Sequence, residues 1–466
     1  MSEIRVPRIV IAGTASGVGK TTTMVALAGA LRARGLTVAT FKCGPDYLDP
    51  TYHARVTGVP SRNLDGWMMG RDAVLATFER ASAGADVALI EGVMGLFDGA
   101  SPTSEEGSTA EIAKWLGAPV LVCVDASGMA RTIGAVALGF ARFDSALDVA
   151  GLITIGVGSK GHLELLRAAS PDVPIVGALP TRSDLAFPER HLGLVRADRE
   201  HVPDSRFEAW AAIAAEWIDL DPLLALARGA KPIAAPATSP ARAATRARIG
   251  IAHDEAFHFY YEDNLARLEA AGAELVRFSP VHDSRLPEVD GIYIGGGYPE
   301  VHAQALAANV AMRDAVRALA ASGAPIYGEC GGLMYLVDAI QTLDGARHPM
   351  LGLLPGVAVL RDRLQSLGYV EVSTREPSIL GPAGLSFRGH QFRYSTLERP
   401  EAAAADPAVS ALYELTRRRG GGTEVEGWWR ARVLGSYVHA HWASCPEIPV
   451  ALVESCAASR AARASR

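Results

Sequence analysis

At 466 residues the chain is too long for one compact core of ordinary size and suits two domains. Hydrophobic residues make up 49% and charged residues 21%, a globular balance without a disorder signature. The net charge of −6 gathers into no long block, and the basic run from Arg417 to Gly420 reads as a solvated loop, so a nucleic-acid surface is not expected.

No charged leader precedes an apolar segment, and no run approaches the roughly 20 apolar residues of a membrane helix. A cytoplasmic protein with no membrane partner is therefore expected. The five cysteines (Cys43, Cys123, Cys330, Cys445, Cys456) are odd in number and contain no CxxC pair, which points to neither a disulfide framework nor a zinc site.

From Arg8 onward, short β-branched runs ("RIVIAG", "TVATF", "VALIEG", "PVLVCVD", "AGLITIG") alternate with Ala/Leu-rich amphipathic segments, as βα units on a parallel sheet do. The first run leads into "GTASGVGKTTT". Here the backbone amides of Gly17, Val18, Gly19 and Lys20 can wrap phosphate oxygens, Lys20 can neutralise their charge, and Thr21 can reach Mg²⁺. Thr14 stands where the usual phosphate-loop pattern has its first glycine. In "FKCGPDYLDPTYH", Pro45 and Pro50 are expected to prevent a helix and leave Asp46 and Asp49 on a loop at a strand end. Two acids beside a triphosphate need a metal or another cation between them. "ALIEGVMGLFDG" then sends Glu91 out of a strand into glycines, where it can hold Mg²⁺, with Asp98 in the same loop.

Residues 229–247 lose the apolar period and read as a linker between a first domain, 1–228, and a second, 248–446, with 447–466 as a C-terminal tail whose Ala/Ser/Arg-rich stretch from Ala451 is either a frayed helix or disordered. A second α/β series follows, so two doubly wound α/β domains are expected. In "PIYGECGGLMYL", Gly328, Cys330 and Gly332 form a GxCxG corner between an apolar strand and a helix-like segment, the pattern of a nucleophile elbow with an exposed thiol of lowered pKa. "DGIYIGGGYPE" ends another strand in glycines whose amides can serve as an oxyanion hole, Gly296 and Gly297 together with Gly331. "VLGSYVHAHW" supplies His439 and His441 after a further strand, and such a histidine can deprotonate the thiol.

Together with "DEAFHFYYEDNL" and "RGHQFRYS", these motifs span nearly the whole chain, which resembles the cobyrinic acid a,c-diamide synthase family and its close relatives acting on hydrogenobyrinic acid. The resemblance implies an N-terminal domain like dethiobiotin synthetase and a C-terminal class I glutaminase. It implies ATP and glutamine as co-substrates, Mg²⁺ as cofactor and a corrin-type small molecule as substrate. Cys330 and His439 would form the glutaminase dyad. Lys20, Thr21 and Glu91 match the family's nucleotide and magnesium residues, with Thr22 beside them. Asp46, Tyr47, Asp49 and Asp98 match residues linked to substrate and intermediate binding.

The chain departs from the familiar pattern in three places. His441 stands where many class I glutaminases carry a glutamate, Cys43 where an aliphatic residue is expected, and Gln391 and Arg393 where Glu and His are expected. Hydrogenobyrinic acid or a nickel sirohydrochlorin as the macrocycle would leave the motif set unchanged. A partitioning-type ATPase with an inert C-terminal module is a further reading, and Cys330 with His439 speaks against it. The sequence leaves the oligomeric state, a homodimer included, open.

Overall fold

In the computed structural model, residues 3–182, 189–190, 193–194, 197, 202–236, 243–399 and 406–465 are described. The chain divides into two units, Met1–Ser239 and Pro240–Arg466.

The first unit is organised by seven strands: β1 (Arg8–Gly13), β2 (Val38–Cys43), β3 (Arg62–Leu64), β4 (Val87–Glu91), β5 (Val120–Asp125), β6 (Val149–Val157) and β7 (Ile175–Pro180). They lie in the order β3-β2-β4-β1-β5-β6-β7 with every neighbouring pair parallel. Helices cover such a sheet, so its inner strands are continuous apolar runs; β1, β2 and β4 are buried along their whole length. Burying each of Ile9, Val10 and Ile11, all at 0% exposure, contributes about 1.5–3 kcal/mol. The chain runs outward from β1 to both sides. The crevice at the carboxyl ends of β1 and β4 is therefore the place where an open α/β sheet holds its ligand.

Two expectations change here. The segment after Asp46 is not a loop: α2 (Asp49–Thr57) begins at Asp49 with Pro50 in its first turn. Proline is disfavoured inside a helix, but at the start its missing N–H is one that has no intrahelical partner anyway. Nor is 229–247 a linker throughout. Ile233–Ala234 pairs with Glu3–Ile4, and buried Arg8 donates to the carbonyls of Leu116, Val6 and Lys231. Residues through Ala234 thus belong to the first unit, and Ala247 already opens the second sheet.

That second sheet has ten strands: β8 (Ala247–Ala252), β9 (Ala273–Phe278), β10 (Gly291–Ile294), β11 (Ile326–Glu329), β12 (Ser366–Thr374), β13 (Ser386–Arg393), β14 (Ser410–Arg417), β15 (Thr423–Arg430), β16 (Val433–Ser436) and β17 (His439–His441). Their order is β9-β8-β10-β11-β16-β15-β14-β12-β13-β17. The half from β9 to β16 is parallel, and from β16 onward every pair is antiparallel. The antiparallel half brings β17, with its two histidines, beside the elbow that follows β11.

Of the two readings of the C-terminal tail, the structure shows the helix and not disorder over its described length. The tail forms a helix, Glu447–Ala464, whose Ile448, Leu452, Val453 and Cys456 are buried in the core of the second unit. These positions fall on one face at helical spacing, and burying that stripe holds the helix despite its Ala/Ser/Arg-rich surface. The basic run is also only partly loop, because Arg417 ends β14 and pairs with Glu424 at 2.8 Å.

Candidate active sites

In the first unit, β1 leads into the glycine turn and then into α1 (Lys20–Ala33). Gly17 and Gly19 have φ of 76° and 95°, a region that side chains with a Cβ resist, so these two glycines are what the tight turn requires. Lys20 Nζ is held by the carbonyls of Ala15 (2.9 Å) and Met94 (2.6 Å), at the mouth of the turn. Burial, reinforced by the Lys42 charge, lowers its pKa.

Glu91 is fully buried at the end of β4 and gathers three partners. Thr21 Oγ1 donates to its Oε1 at 2.7 Å, Lys42 Nζ to the same oxygen at 2.8 Å, and His53 Nε2 lies 2.6 Å from Oε2. Burial opposes its charge, but Lys42 and His53 hold Glu91 well below the ordinary carboxylate range. The cation that the two acids call for is a residue of the chain itself. Lys42 Nζ also sits 2.5 Å from Asp49, and although burial would discharge it, Asp49 and Glu91 keep it protonated. Neither Lys42 nor His53 stands out in sequence. Lys42 continues an apolar strand, and His53 closes the "DPTYH" motif without declaring its partner.

Asp49 accordingly does not stand free on a loop; it is buried against Lys42. Asp46 turns Oδ1 back onto the amides of Leu48 and Asp49 at 2.8 and 2.9 Å. Asp98 Oδ2 accepts from Gly95 at 2.9 Å, and Tyr47 is half-buried beside Asp46. Cys43 is a buried thiol pushed up to about 12 by burial, an inert core residue in place of an aliphatic one. Thr21 and Glu91 offer two hard oxygen donors side by side, which fits Mg²⁺. Among the described residues no group of three or more His, Cys, Asp or Glu is placed to hold a metal. The pair therefore suits an ion that takes its remaining ligands from phosphate and water.

In the second unit, Cys330 occupies the corner between β11 and a short helix, α3 (Gly331–Leu336), with φ 49° and ψ −100°. Such a positive φ is strained for a residue with a Cβ and marks an elbow that its surroundings enforce. Its amide donates to Ser436 O at 2.7 Å, tying the corner to the end of β16. A Cβ placed on Gly332 would come within 2.2 Å of Ile294 O, and one on Gly328 within 2.6 Å of Leu336. The glycine shelf meets both partners. A Cβ on Gly296 would lie 2.4 Å from the His439 ring, while one on Gly331 would lie 3.0 Å from Gly297 N and 2.9 Å from Pro299. Gly295 is occupied otherwise, since its amide donates to Tyr260 Oη at 2.7 Å.

The expected exposed, acidified thiol is not what the elbow holds. Cys330 is 8% exposed and burial pushes it up to about 12, aided by Glu300 and only partly countered by the Gly331 amide and Arg393. A helix of one and a half turns offers too little potential to outweigh that desolvation. Burial likewise lowers His439 to about 3, so thiol and imidazole rest neutral. The His439 ring stacks on His390, centroids 4.9 Å apart, and Tyr261 Oη lies 3.0 Å from His390 Nδ1.

His441 is engaged locally, its Nδ1 accepting from Ala443 N at 3.3 Å and its ring lying 4.8 Å from Tyr261. Gln391 accepts from Ser366 at 2.8 Å inside the sheet, and Arg393 lies over the Tyr437 ring at 4.5 Å. A buried carboxyl, Glu329, directly precedes the cysteine; it accepts from Tyr327, Tyr293 and Ala440.

Two family models match the chain. Residues 9–195 match the CobQ/CobB/MinD/ParA nucleotide binding domain, and residues 248–446 match the CobB/CobQ-like glutamine amidotransferase domain. Among curated relatives, the cobyrinate a,c-diamide synthase of Leptospira interrogans serogroup Icterohaemorrhagiae serovar copenhageni (strain Fiocruz L1-130) is 51% identical, covering 97% of this chain and 99% of its own. The protein of the same name from Syntrophotalea carbinolica (strain DSM 2380 / NBRC 103641 / GraBd1) is 47% identical over 97% and 98%. That from Priestia megaterium is 40% identical over 98% of each chain.

Proposed function

The chain belongs to the cobyrinate a,c-diamide synthase family, and we propose that it amidates the a and c side-chain carboxylates of cobyrinic acid with ATP and glutamine, as a ligase of cobalamin biosynthesis in the cytoplasm. The observation that carries this is the presence, in separate units, of a phosphate loop facing a buried Glu91 and of a strained cysteine elbow that shares the Gly296–Gly297 shelf with His439.

A carboxylate does not react with ammonia at neutral pH, so one oxygen must first become a leaving group. In the first unit a substrate carboxylate oxygen attacks the γ-phosphorus of ATP, forming an acyl phosphate and releasing ADP. Lys20 and the amides of residues 17–20 neutralise and orient the phosphates, with Thr22 alongside. Mg²⁺, held by Thr21 and Glu91, would spread the charge of the phosphate oxygens. Lys42 and His53 keep Glu91 ionised and in place for that role. Asp46, Tyr47 and Asp98 are assigned to substrate and intermediate, while Asp49 acts through Lys42.

In the second unit the Cys330 sulfur attacks the glutamine side-chain amide as its proton passes to His439, and the developing oxyanion is met by amides of Gly296, Gly297 and Gly331. His439 returns the proton to the departing nitrogen, releasing ammonia, and water then hydrolyses the thioester to glutamate. Ammonia displaces phosphate from the acyl phosphate and leaves the amide.

The test is mass spectrometry of products from purified protein with ATP, Mg²⁺, glutamine and, separately, cobyrinic acid, hydrogenobyrinic acid or nickel sirohydrochlorin. Two successive conversions of acid to amide on cobyrinic acid support the proposal. Turnover of another macrocycle alone would replace the substrate, and glutamine-independent ATP hydrolysis with no amide would overturn the reaction.

A further inference from the structure

The strand that carries His439 is only three residues long, and it closes one edge of the ten-stranded sheet. On one side β17 pairs with β13, through Arg388 opposite His441, Gly389 opposite Ala440 and His390 opposite His439. Among the described residues, no strand pairs with its other side. A buried edge of that kind would leave backbone groups without partners, at a cost comparable to lost hydrogen bonds.

Side chains fill the place of the missing strand. Ala440 N donates to Glu329 Oε1 at 3.2 Å, and Ala440 O accepts from Asn264 Nδ2 at 2.8 Å. Asn264 Oδ1 then accepts from Trp442 N at 2.9 Å, so one amide group bonds the backbone on both sides of His441. Both side chains are buried, Asn264 at 0% exposure and Glu329 at 1%. Glu329 is itself fixed, since Tyr327 donates to Oε1 at 2.8 Å and Tyr293 to Oε2 at 2.9 Å. Glu329 also immediately precedes Cys330. A continuous set of bonds thus runs from the residue before the nucleophile to the residue after the base.

We propose that Glu329 and Asn264 are the positioning residues of the glutaminase: they clamp the backbone of the His439 strand and set the imidazole against the Cys330 elbow. The clamp does by backbone what an acid two residues beyond the base does by side chain in other class I glutaminases. The residue at that place, His441, is engaged with Ala443 N and the Tyr261 ring. The inference rests on the reading of Cys330 and His439 as the glutaminase pair.

Steady-state amidation in the full-length protein tests it, with glutamine and then with ammonium chloride, alongside the thermal transition of each variant. Asn264→Asp keeps the acceptor for Trp442 N but sets an oxygen against Ala440 O. Displacing the base by about 1 Å should cost on the order of 10²-fold in glutamine-dependent kcat, with KM for glutamine changed only a few-fold. Glu329→Leu should lose kcat similarly. Glu329→Gln should stay within a few-fold of wild type, because its carbonyl oxygen can keep the bonds of Tyr327 and Ala440 while the Tyr293 hydroxyl turns to accept from its amide. Ammonium-dependent amidation should be unchanged in all three.

Wild-type kcat in folded Asn264→Asp or Glu329→Leu protein overturns the proposal. So does a Glu329→Gln variant as inactive as Glu329→Leu, which would make the charge the active element, or a loss of kcat that vanishes when each assay is run well below the variant's thermal transition. His439→Ala is measured in parallel. If it keeps glutamine-dependent activity, the glutaminase pair itself is misassigned; if it loses activity while the clamp variants do not, only the clamp fails.

Discussion

Lys42 Nζ lies 2.8 Å from Glu91 Oε1, inside a fully buried cluster in which Asp49 is its second acidic partner. Removing one member of such a cluster leaves uncompensated charge in a medium that cannot solvate it. Lys42→Met should therefore cost about 3–5 kcal/mol of stability in the first unit. ATP-dependent amidation should fall with glutamine and with ammonium alike. Calorimetry and the two assays check this; an unchanged thermal transition would mean that water reaches the cluster.

Lys20→Ala and Glu91→Gln should each abolish amidation with either nitrogen source, since phosphoryl transfer depends on positioning and charge neutralisation. Glu91→Gln should also weaken the Mg²⁺ dependence of nucleotide binding, which titration calorimetry measures. Normal turnover in either variant would remove the phosphate site from its assigned place.

Much of this was legible because certain positions tie residue type to backbone geometry. Gly17 and Gly19 take positive φ in the phosphate turn, and the small residues about Cys330 leave no room for a Cβ, so spacing alone announces both corners. Lys42 and His53 carry no such mark; their partner Glu91 lies 49 and 38 residues away and meets them only when β2, β4 and α2 assemble. Pro50 misled because it serves equally as helix breaker and as first-turn residue. The final segment stayed open between a frayed helix and disorder because its apolar stripe starts at Ile448, ahead of the Ala/Ser/Arg-rich stretch that dominates its composition. Asn264 and Glu329 sit in recognisable motifs, but only the antiparallel half of the second sheet brings them to Ala440.

His439→Ala should lose glutamine-dependent amidation by about 10²- to 10⁴-fold, the usual contribution of a general base. His441→Ala should keep most of it, because that ring caps Ala443 N and packs on Tyr261. Comparing the two kcat values decides the point, and the reverse ranking would make His441 the base.

Burial pushes the Glu329 carboxyl from 4.5 up to about 7, against the hydrogen bonds it accepts from Tyr327, Tyr293 and Ala440. Between these values the folded protein keeps a proton that the unfolded chain has released, so the stability this group contributes falls as pH rises through the window and levels off above it. The full span corresponds to roughly 3 kcal/mol. Glu329→Gln lacks this penalty. Its second-unit thermal transition should gain on wild type between pH 5 and pH 8, and an offset independent of pH would show that Glu329 ionises freely in the fold.

The division of labour between the two units is tested most directly by Cys330→Ser, assayed for diamide formation with glutamine and then with excess ammonium chloride at mildly alkaline pH. A hydroxyl is a far weaker nucleophile than a thiolate, so glutamine-dependent amidation should fall by a few orders of magnitude while ammonium-dependent amidation persists. A folded Cys330→Ser protein that is equally inactive with ammonium would place the cysteine in the ATP-dependent step and contradict the account.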